Sequence, residues 1–174
     1  QASGPGTWLK GALVEVYNSR IRQMVRQHGI KLVLIDYAQI ILPVTKRGMA
    51  EERLGIAEVC AGLKACAKQC GVVMFILAQA NRSADDNPGG RPKLKDFDGS
   101  SAIDKWADFA GFVHRPSKFK AWTSLKDDDK EHYGSEHAYN EAAELLLIKS
   151  RNSGEANIPL RFIGDLARFG RQVM

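Results

Sequence analysis

Two stretches of the chain are apolar at almost every position. They are "KLVLID" at residues 31–36 and "VVMFILA" at residues 72–78. A strand with one face in water alternates apolar and polar residues, and these two stretches do not alternate. The pattern therefore predicts two strands that are buried on both faces, as the strands of a parallel sheet are.

A segment with helical spacing comes before each of these strands. Apolar residues recur every three or four positions over residues 6–29 and again over residues 54–71, which is the spacing of one helix face. Thr7 is a typical N-terminal cap. Gly29 and Gly71 are typical of helix ends, because glycine adopts the left-handed conformation found there. We therefore expect the order helix, strand, helix, strand.

The second half of the chain is predicted to contain a short helix and three more strands. The helix covers residues 101–108, and an apolar strand follows at residues 109–115. Two further strands, at residues 144–150 and 157–163, are separated by the turn-forming sequence "RNSGEA". This arrangement predicts an antiparallel hairpin.

The order of these elements predicts an α/β fold with a mostly parallel sheet flanked by helices and an antiparallel hairpin at its C-terminal end. The sequence has neither a repeat nor a second core, so we expect one domain over residues 1–174. Residues 116–141 are charged and lack periodicity, and we expect them to form a mobile insertion on the surface.

The composition indicates the cellular environment of the protein and says little about its function. The chain has 174 residues, of which 44% are hydrophobic, enough for a core, and no apolar run is long enough to span a membrane. Its net charge of +5 is compatible with a nucleic-acid partner. The cysteines are Cys60, Cys66 and Cys70, and an odd number within one short segment argues against a disulfide framework. We therefore expect a reducing, cytoplasmic setting.

Polar side chains follow the ends of three predicted strands. Asp36 ends the first strand, Gln79 follows the second, and Lys149 and Arg151 lie at the end of the first hairpin strand. Ligands of open parallel sheets gather at the carboxyl ends of the strands. An acid, an amide and two cations at such ends suit a phosphate group with its magnesium ion.

Each of these residues also has a purely structural interpretation. Asp36 is equally suited to capping the following turn, and Gln79 to being an ordinary loop amide. Lys149 and Arg151 alternate with Ser150, so both are expected on one side of a strand, where they would also fit a solvated sheet face. Their order along the chain favours the phosphate site.

The sequence resembles a known family from Gly29 to Phe169. The segments "LVLIDYAQII", "LKACAKQCGVVMFILAQANRS", "RPKLKDFDGSSAIDKWAD" and "IKSRNSGEANIPLRF" are similar to the second half of the RecA-like motor domain of DnaB-type replicative helicases. The resemblance implies an ATPase that uses ATP and Mg²⁺, moves on single-stranded DNA and unwinds duplexes. It also implies a homo-oligomer, a hexameric ring, with primase or loader proteins as further partners.

The resemblance assigns roles to the four residues at the strand ends. Asp36 matches the Walker B aspartate, which positions Mg²⁺ and the attacking water. Gln79 matches the glutamine that contacts the γ-phosphate and couples hydrolysis to the DNA loops. Lys149 and Arg151 match the basic pair that reaches the nucleotide of the neighbouring subunit. The resemblance thus makes these four residues catalytic, with Asp36, Gln79 and Arg151 binding the nucleotide and Asp36 the metal.

The resemblance also assigns two loops to DNA binding. Gly99, Ser100 and Ser101 match a loop that lines the central channel, where backbone N–H groups can reach phosphates. Lys46 and Arg47 lie in a second loop that is expected to face the channel. Contacts of this kind are independent of base sequence and weakened by salt.

One motif of such ATPases does not occur in the chain. No G-x-x-x-x-G-K-[ST] is present, and "GPGTWLKG" is not a match because its lysine is not followed by Ser or Thr. In the fold implied by the resemblance, the strand before that loop pairs beside the strand that ends at Asp36. We therefore expect the fold to be incomplete without the P-loop strand, the chain to be part of a larger one, and the chain alone to be inactive. The family's K-x-R-N-G is "KSRNSG" here, so we expect a reshaped turn.

Three hypotheses remain open at this stage. The first is the motor half of a ring-shaped replicative DNA helicase. The second is a non-catalytic DnaB-like module that acts in DNA binding or assembly. The third is a RecA-like recombinase or clock-type ATPase, families that share the apolar strand ending in Asp but lack "AQANR" together with "KSRN". This combination favours the first hypothesis.

Overall fold

The computed structural model describes residues 11–46, 51–81, 87, 90–97 and 100–171. The predicted cap Thr7 lies outside these residues. The chain divides into two units, which are Gln1–Ala80 with Phe97–Ala107, and Asn81–Asp96 with Asp108–Met174. The first unit contains a parallel pair of strands, and the second contains a four-stranded antiparallel sheet.

The helices that we label are α1 (Val14–His28), α2 (Glu52–Cys70), α3 (Ser100–Trp106), α4 (Asp127–Tyr133) and α5 (Glu136–Glu141). The strands are β1 (Leu32–Ile35), β2 (Val73–Ile76), β3 (Phe109–His114), β4 (Ala142–Ser150), β5 (Ala156–Ile163) and β6 (Arg168–Arg171). The α/β class and the predicted order of helices and strands are confirmed, whereas α4, α5 and β6 were not predicted.

Both predicted helix ends in the first unit are confirmed. Gly29 follows α1 with a φ of 63° and donates its N–H to Val25 O, and Gly71 follows α2 with a φ of 62°. Helix α1 begins at Val14, later than its apolar spacing suggested, because Leu13 is extended and forms a parallel bridge with Leu42.

The parallel pair is built from the two apolar stretches. Strands β1 and β2 run in the same direction with Leu32 opposite Val73 and Ile35 opposite Ile76. Because the two strands are parallel and in register, their carboxyl ends lie at the same edge.

The core of the first unit lies on one face of this pair. Ile35 is buried with residues of the two long helices, namely Val14 from α1 and Val59 and Leu63 from α2. Val33 and Met74 pack against the same cluster. Burial of large apolar side chains of this kind is the main force that holds helices on a sheet.

The opposite face of the pair is exposed, so the prediction that both strands are buried on both faces is wrong for the described chain. Leu34 is 71% exposed and Phe75 is 59% exposed. The physical reason is that, among the described residues of this unit, α1 and α2 cover a single face of the pair. The apolar alternate positions of the other face have no covering layer there.

The second unit confirms the predicted antiparallel hairpin and extends it. Strands β4 and β5 pair with Leu146 opposite Asn157, β3 adds to the other side of β4, and β6 adds to the other side of β5. Parallel pairing between the strands of the described chain is therefore limited to β1 and β2. Strand β4 is paired along both sides, which makes it the most constrained strand of this sheet.

Residues 116–141 form short helical elements in the second unit. Two 3-10 turns, at Pro116–Lys118 and Trp122–Ser124, are followed by α4 and α5. Tyr139 of α5 is 1% exposed and donates its hydroxyl hydrogen to Lys120 O at 2.8 Å. This buried aromatic side chain anchors the charged segment.

A search of the described helices finds none with the length and apolar character required to cross a membrane.

Replacing Leu63 with alanine is expected to lower the free energy of unfolding by about 2–5 kcal/mol, because the deleted atoms leave a cavity in the core. Denaturant unfolding of the variant measures the change. Leu166→Ala is the control, since the Leu166 side chain is 64% exposed and its loss is expected to cost no more than about 0.5 kcal/mol. Equal losses for the two variants would contradict the assigned core.

Candidate functional site

Asp36 and Gln79 lie at the carboxyl edge of the parallel pair. Asp36 directly follows Ile35, which is opposite Ile76, and the chain reaches Gln79 three residues after Ile76. The pairing continues past the strands, because Leu77 N donates to Ile35 O at 2.9 Å. The structure therefore brings the predicted acid and the predicted amide to one edge, with both side chains exposed.

Gln39 holds the backbone of Gln79 beside this edge. Its Nε2 atom donates to Gln79 O at 3.4 Å, and its Oε1 atom accepts from Gln79 N at 3.3 Å. Gln39 lies in the 3-10 turn Ala38–Ile40 that follows Asp36. The sequence pattern does not predict this role, although an amide three residues after a strand-ending acid is a signal that could have indicated it.

The edge suits a magnesium ion that is bound by one protein carboxylate, with phosphate oxygens and water as its other ligands. Among the residues that the structure describes, no group of three or more His, Cys, Asp and Glu side chains is arranged to hold a metal. Mg²⁺ commonly uses one or two carboxylates, with phosphate oxygens and water completing its octahedron. The single exposed carboxylate of Asp36 fits that pattern and does not fit a metal cage made of protein alone.

Cys66 and Cys70 are packed thiols. Their sulfur atoms lie 3.9 Å apart on α2, and Cys66 is 1% exposed. Burial, with the hydrogen bond to Cys70, raises the pKa of the Cys66 thiol to about 11. A thiol with so high a pKa is protonated at neutral pH and is a poor metal ligand or nucleophile. Cys66 therefore serves as a small core residue of the first unit.

Lys149 and Arg151 lie together at the end of β4 in the second unit. Lys149 is opposite Ala110, and the strand ends at Ser150. Arg151 is thus the first residue after the strand, and its backbone N–H donates to Asp108 O at 3.0 Å. Lys149 and Arg151 were expected on one side of a single strand. Lys149 lies in β4, whereas Arg151 lies in the turn after it, so this expectation is wrong for Arg151.

The side chain of Arg151 forms an exposed ion pair with Asp108. Its Nε atom lies 3.5 Å from Asp108 Oδ1, and both side chains are about half exposed. Exposed ion pairs of this length contribute little to stability. The ion pair with Asp108 is therefore a weak restraint on the Arg151 side chain.

The turn after β4 is closed by two serines. Ser153 donates its backbone N–H to Ser150 Oγ at 3.1 Å, and the two hydroxyl oxygens are 2.6 Å apart. The additional residue of "KSRNSG" lies inside this turn, so the longer sequence is accommodated by a local serine pair without a break in the hairpin.

The predicted DNA-contacting residues are described only in part. Arg47 and Gly99 lie outside the described residues. Ser100 begins α3, Ser101 is exposed in its first turn, and Lys46 is exposed. The two side chains whose burial is described, those of Lys46 and Ser101, lie on the surface.

Glu58 of α2 holds the loop that leads to Lys46. Its Oε1 atom accepts from Val44 N at 2.7 Å and Thr45 N at 3.1 Å, and its Oε2 atom accepts from the Thr45 hydroxyl at 2.7 Å. The bond from the Thr45 side chain is the main cause that lowers the pKa of Glu58, and burial opposes it. The sequence pattern does not predict this contact, because Glu58 and Thr45 are 13 residues apart.

The sequence profile of one protein family, the DnaB-like helicase C terminal domain, matches residues 10–171. The chain belongs to this family. This match confirms the resemblance to DnaB-type helicases described for the sequence.

Replicative DNA helicases named DnaB are among the curated relatives of this DnaB-like chain. The protein of Rickettsia conorii is 29% identical over 161 residues, covering 90% of this chain and 32% of the relative. That of Pasteurella multocida is 31% identical over 153 residues, covering 87% of this chain and 29% of the relative. The chain thus spans about a third of the length of the relatives it matches.

Solved structures show the same fold. A DnaB-like replicative helicase, studied with its interactions with primase, superimposes with a TM-score of 0.77 and 23% identity over 95% of this chain and 36% of that one. A second solved structure, described as an ATPase domain, gives a TM-score of 0.77 and 24% identity over 94% of this chain and 52% of that one. These similarities confirm a RecA-like DnaB fold for the DnaB-like chain.

Replacing Gln39 with alanine is expected to make the amide hydrogen of Gln79 exchange with solvent about fivefold faster, because the lost hydrogen bond contributes about 1 kcal/mol. Hydrogen exchange of the peptide that contains Gln79 measures the effect. Gln39→Glu is the control, since it keeps an oxygen that accepts from Gln79 N. Exchange that is unchanged in Gln39→Ala would contradict the bracing role.

Acidification is expected to loosen the loop at residues 42–46. A carboxyl whose pKa is lowered by folding stabilises the protein above its unfolded pKa, and this contribution is lost as the pH falls through the lowered value. The amides of Val44 and Thr45 should therefore lose protection at acidic pH, after correction for intrinsic exchange. In Glu58→Gln the protection should no longer follow this pH dependence, and a variant with the wild-type profile would refute the assignment.

Proposed function

We propose that the complete protein is a replicative DNA helicase that hydrolyses ATP, and that this chain supplies part of its motor domain. The observation that carries the proposal is the shared edge of Asp36 and Gln79, beyond two parallel strands of a DnaB-like fold. Membership of the DnaB-like family is our reason for proposing nucleotide hydrolysis at this edge. The non-catalytic and recombinase hypotheses have no comparable observation in their favour.

ATP and Mg²⁺ are the cofactors of the proposed reaction. The metal ion would supply charge neutralisation at the phosphates. Asp36 provides the carboxylate that holds the ion or one of its water ligands. Gln79 provides an amide within reach of the same edge, where it orients water or contacts the terminal phosphate oxygen. Gln39 keeps the Gln79 backbone in place.

Lys149 and Arg151 provide the cations of the proposed site. Positive charge beside a transferring phosphoryl group stabilises the charge that builds up in the transition state. We propose that these residues act on the nucleotide of a neighbouring copy, so the working form is a homo-oligomer, a hexameric ring. The Arg151 side chain is 45% exposed and follows the end of β4, so it is accessible to a second copy, which supports a role outside its own subunit.

Single-stranded DNA is the proposed track, with Lys46, Arg47, Gly99, Ser100 and Ser101 as its contacts and with primase or loader proteins as further partners. Exposure of Lys46 and Ser101 supports this surface. We propose a cytoplasmic location, where the free thiols Cys60, Cys66 and Cys70 stay reduced.

Arg151→Ala in the complete protein is expected to lower DNA-stimulated ATP hydrolysis at least about 1,000-fold, the lower range of arginine-finger effects, while nucleotide binding is retained. Steady-state hydrolysis and equilibrium nucleotide binding measure the two quantities. Arg26→Ala is the control, because Arg26 is an exposed arginine of α1. Normal turnover of Arg151→Ala would refute the assigned role.

Mixing two inactive variants tests whether the site is shared between copies. Asp36→Asn lacks the metal-binding acid, and Arg151→Ala lacks the cation. Mixed assemblies contain some interfaces that join an intact Asp36 to an intact Arg151, so the mixture should regain part of the activity. If every mixing ratio remains inactive, Arg151 does not act across a subunit boundary.

A further inference from the structure

Glu144, in the first half of β4, is the centre of a cluster of side chains in the second unit. Its two carboxylate oxygens accept from Arg91 Nη1 and Nη2, each at 3.0 Å. His114 Nδ1 at the end of β3 lies 3.2 Å from Glu144 Oε1. The paired geometry is the strong form of an arginine–carboxylate contact.

Phe119 contacts both His114 of this cluster and Gly90, the residue before Arg91. His114 is 4% exposed and stacks on Phe119, with ring centres 5.4 Å apart. Gly90 lies so close to Phe119 that an added Cβ would come within 2.1 Å of the ring, and its φ is +62°. A side chain at position 90 is therefore excluded, and the loop backbone rests directly on the aromatic ring.

The same loop is braced from within by Asp96. The Asp96 side chain is 1% exposed, and its Oδ2 atom accepts from Asn87 Nδ2 at 2.6 Å and from Lys93 N at 2.7 Å. The two ends of the loop are joined, because Asn81 N donates to Asp96 O at 2.7 Å. These contacts join the described residues Asn81, Asn87 and Lys93 to Asp96, and Arg91 fixes the described residues 90–96 to β4.

The pair of Arg91 and Glu144 joins two segments that lie next to predicted functional residues. The loop begins two residues after Gln79 and ends shortly before Ser100 and Ser101. Strand β4 carries Glu144 and, five residues later, Lys149. The pair of Arg91 and Glu144 therefore links the chain between the amide and the serines to the strand that leads to the cations.

We propose that Arg91 and Glu144 form a positioning pair. The pair couples the binding of DNA at Ser100 and Ser101 to ATP hydrolysis. The inference rests on the proposed function. The pair acts by fixing residues 90–96 to β4. A lysine at position 91 would keep the charge but lose the two parallel hydrogen bonds.

The test uses the complete protein and compares Arg91→Ala, Arg91→Lys, Glu144→Ala and the double variant with Arg161→Ala. Arg161 is a matched control because it also forms an ion pair in this sheet, with Glu141 Oε2 at 2.7 Å, and its side chain is 51% exposed against 45% for Arg91. Its pair joins β5 to α5 and leaves the loop untouched. The readouts are kcat and KM for ATP with and without single-stranded DNA, and Tm.

Arg91→Ala is expected to lose DNA stimulation about two- to thirtyfold, the range found for residues along coupled networks, with basal kcat and KM unchanged. Arg91→Lys should lose less. The double variant should lose no more than Arg91→Ala alone, since the two residues act as one pair. The fall in Tm should match that of Arg161→Ala.

Stimulation that persists in Arg91→Ala would overturn the inference, and so would an equal loss in Arg161→Ala, which would indicate general weakening of the sheet. A wild-type protein without DNA-stimulated hydrolysis would overturn the proposed function, and this inference with it. The two failures are distinguished by the wild-type measurement alone.

Discussion

The parallel register of β1 and β2 is the constraint on which the candidate site depends. Ile35 stands opposite Ile76, so the acid that follows one strand and the amide that follows the other emerge at the same edge. Ile35 is also buried against α1 and α2, which ties the register to the core. A shift by one residue would turn the buried residues outward and separate Asp36 from Gln79. Core packing and site geometry are therefore set by one alignment.

Strand β4 has the corresponding position in the second unit. It is hydrogen-bonded on both sides, to β3 and to β5, and therefore lacks a free edge on which to slide. Glu144 near its beginning and Lys149 near its end are held in a fixed relation by the strand itself. The contacts that converge on Glu144, from Arg91 and His114, thus act on the same strand that carries Lys149.

Local patterns predicted the elements of this fold well, because helix spacing, apolar runs and terminal glycines such as Gly29 depend on neighbours in sequence. The contacts between distant residues could not be predicted in this way. Gln39 lies 40 residues from Gln79, and Arg91 lies 53 residues from Glu144. The burial of Leu34 was predicted wrongly. An apolar run shows that a strand face is hydrophobic, but it does not show which element covers that face. The acid and amide at the strand ends were predictable, since topology alone brings them to one edge. Their catalytic roles stay predictions.

The bare face of the parallel pair has a practical consequence. Four large side chains on it, Leu32, Leu34, Val73 and Phe75, are each more than half exposed. A contiguous exposed apolar patch of this kind is prone to association with other copies of the same chain. Any preparation that leaves this face in water will tend to precipitate. The yield of soluble material is accordingly a simple measure of how completely the face is covered.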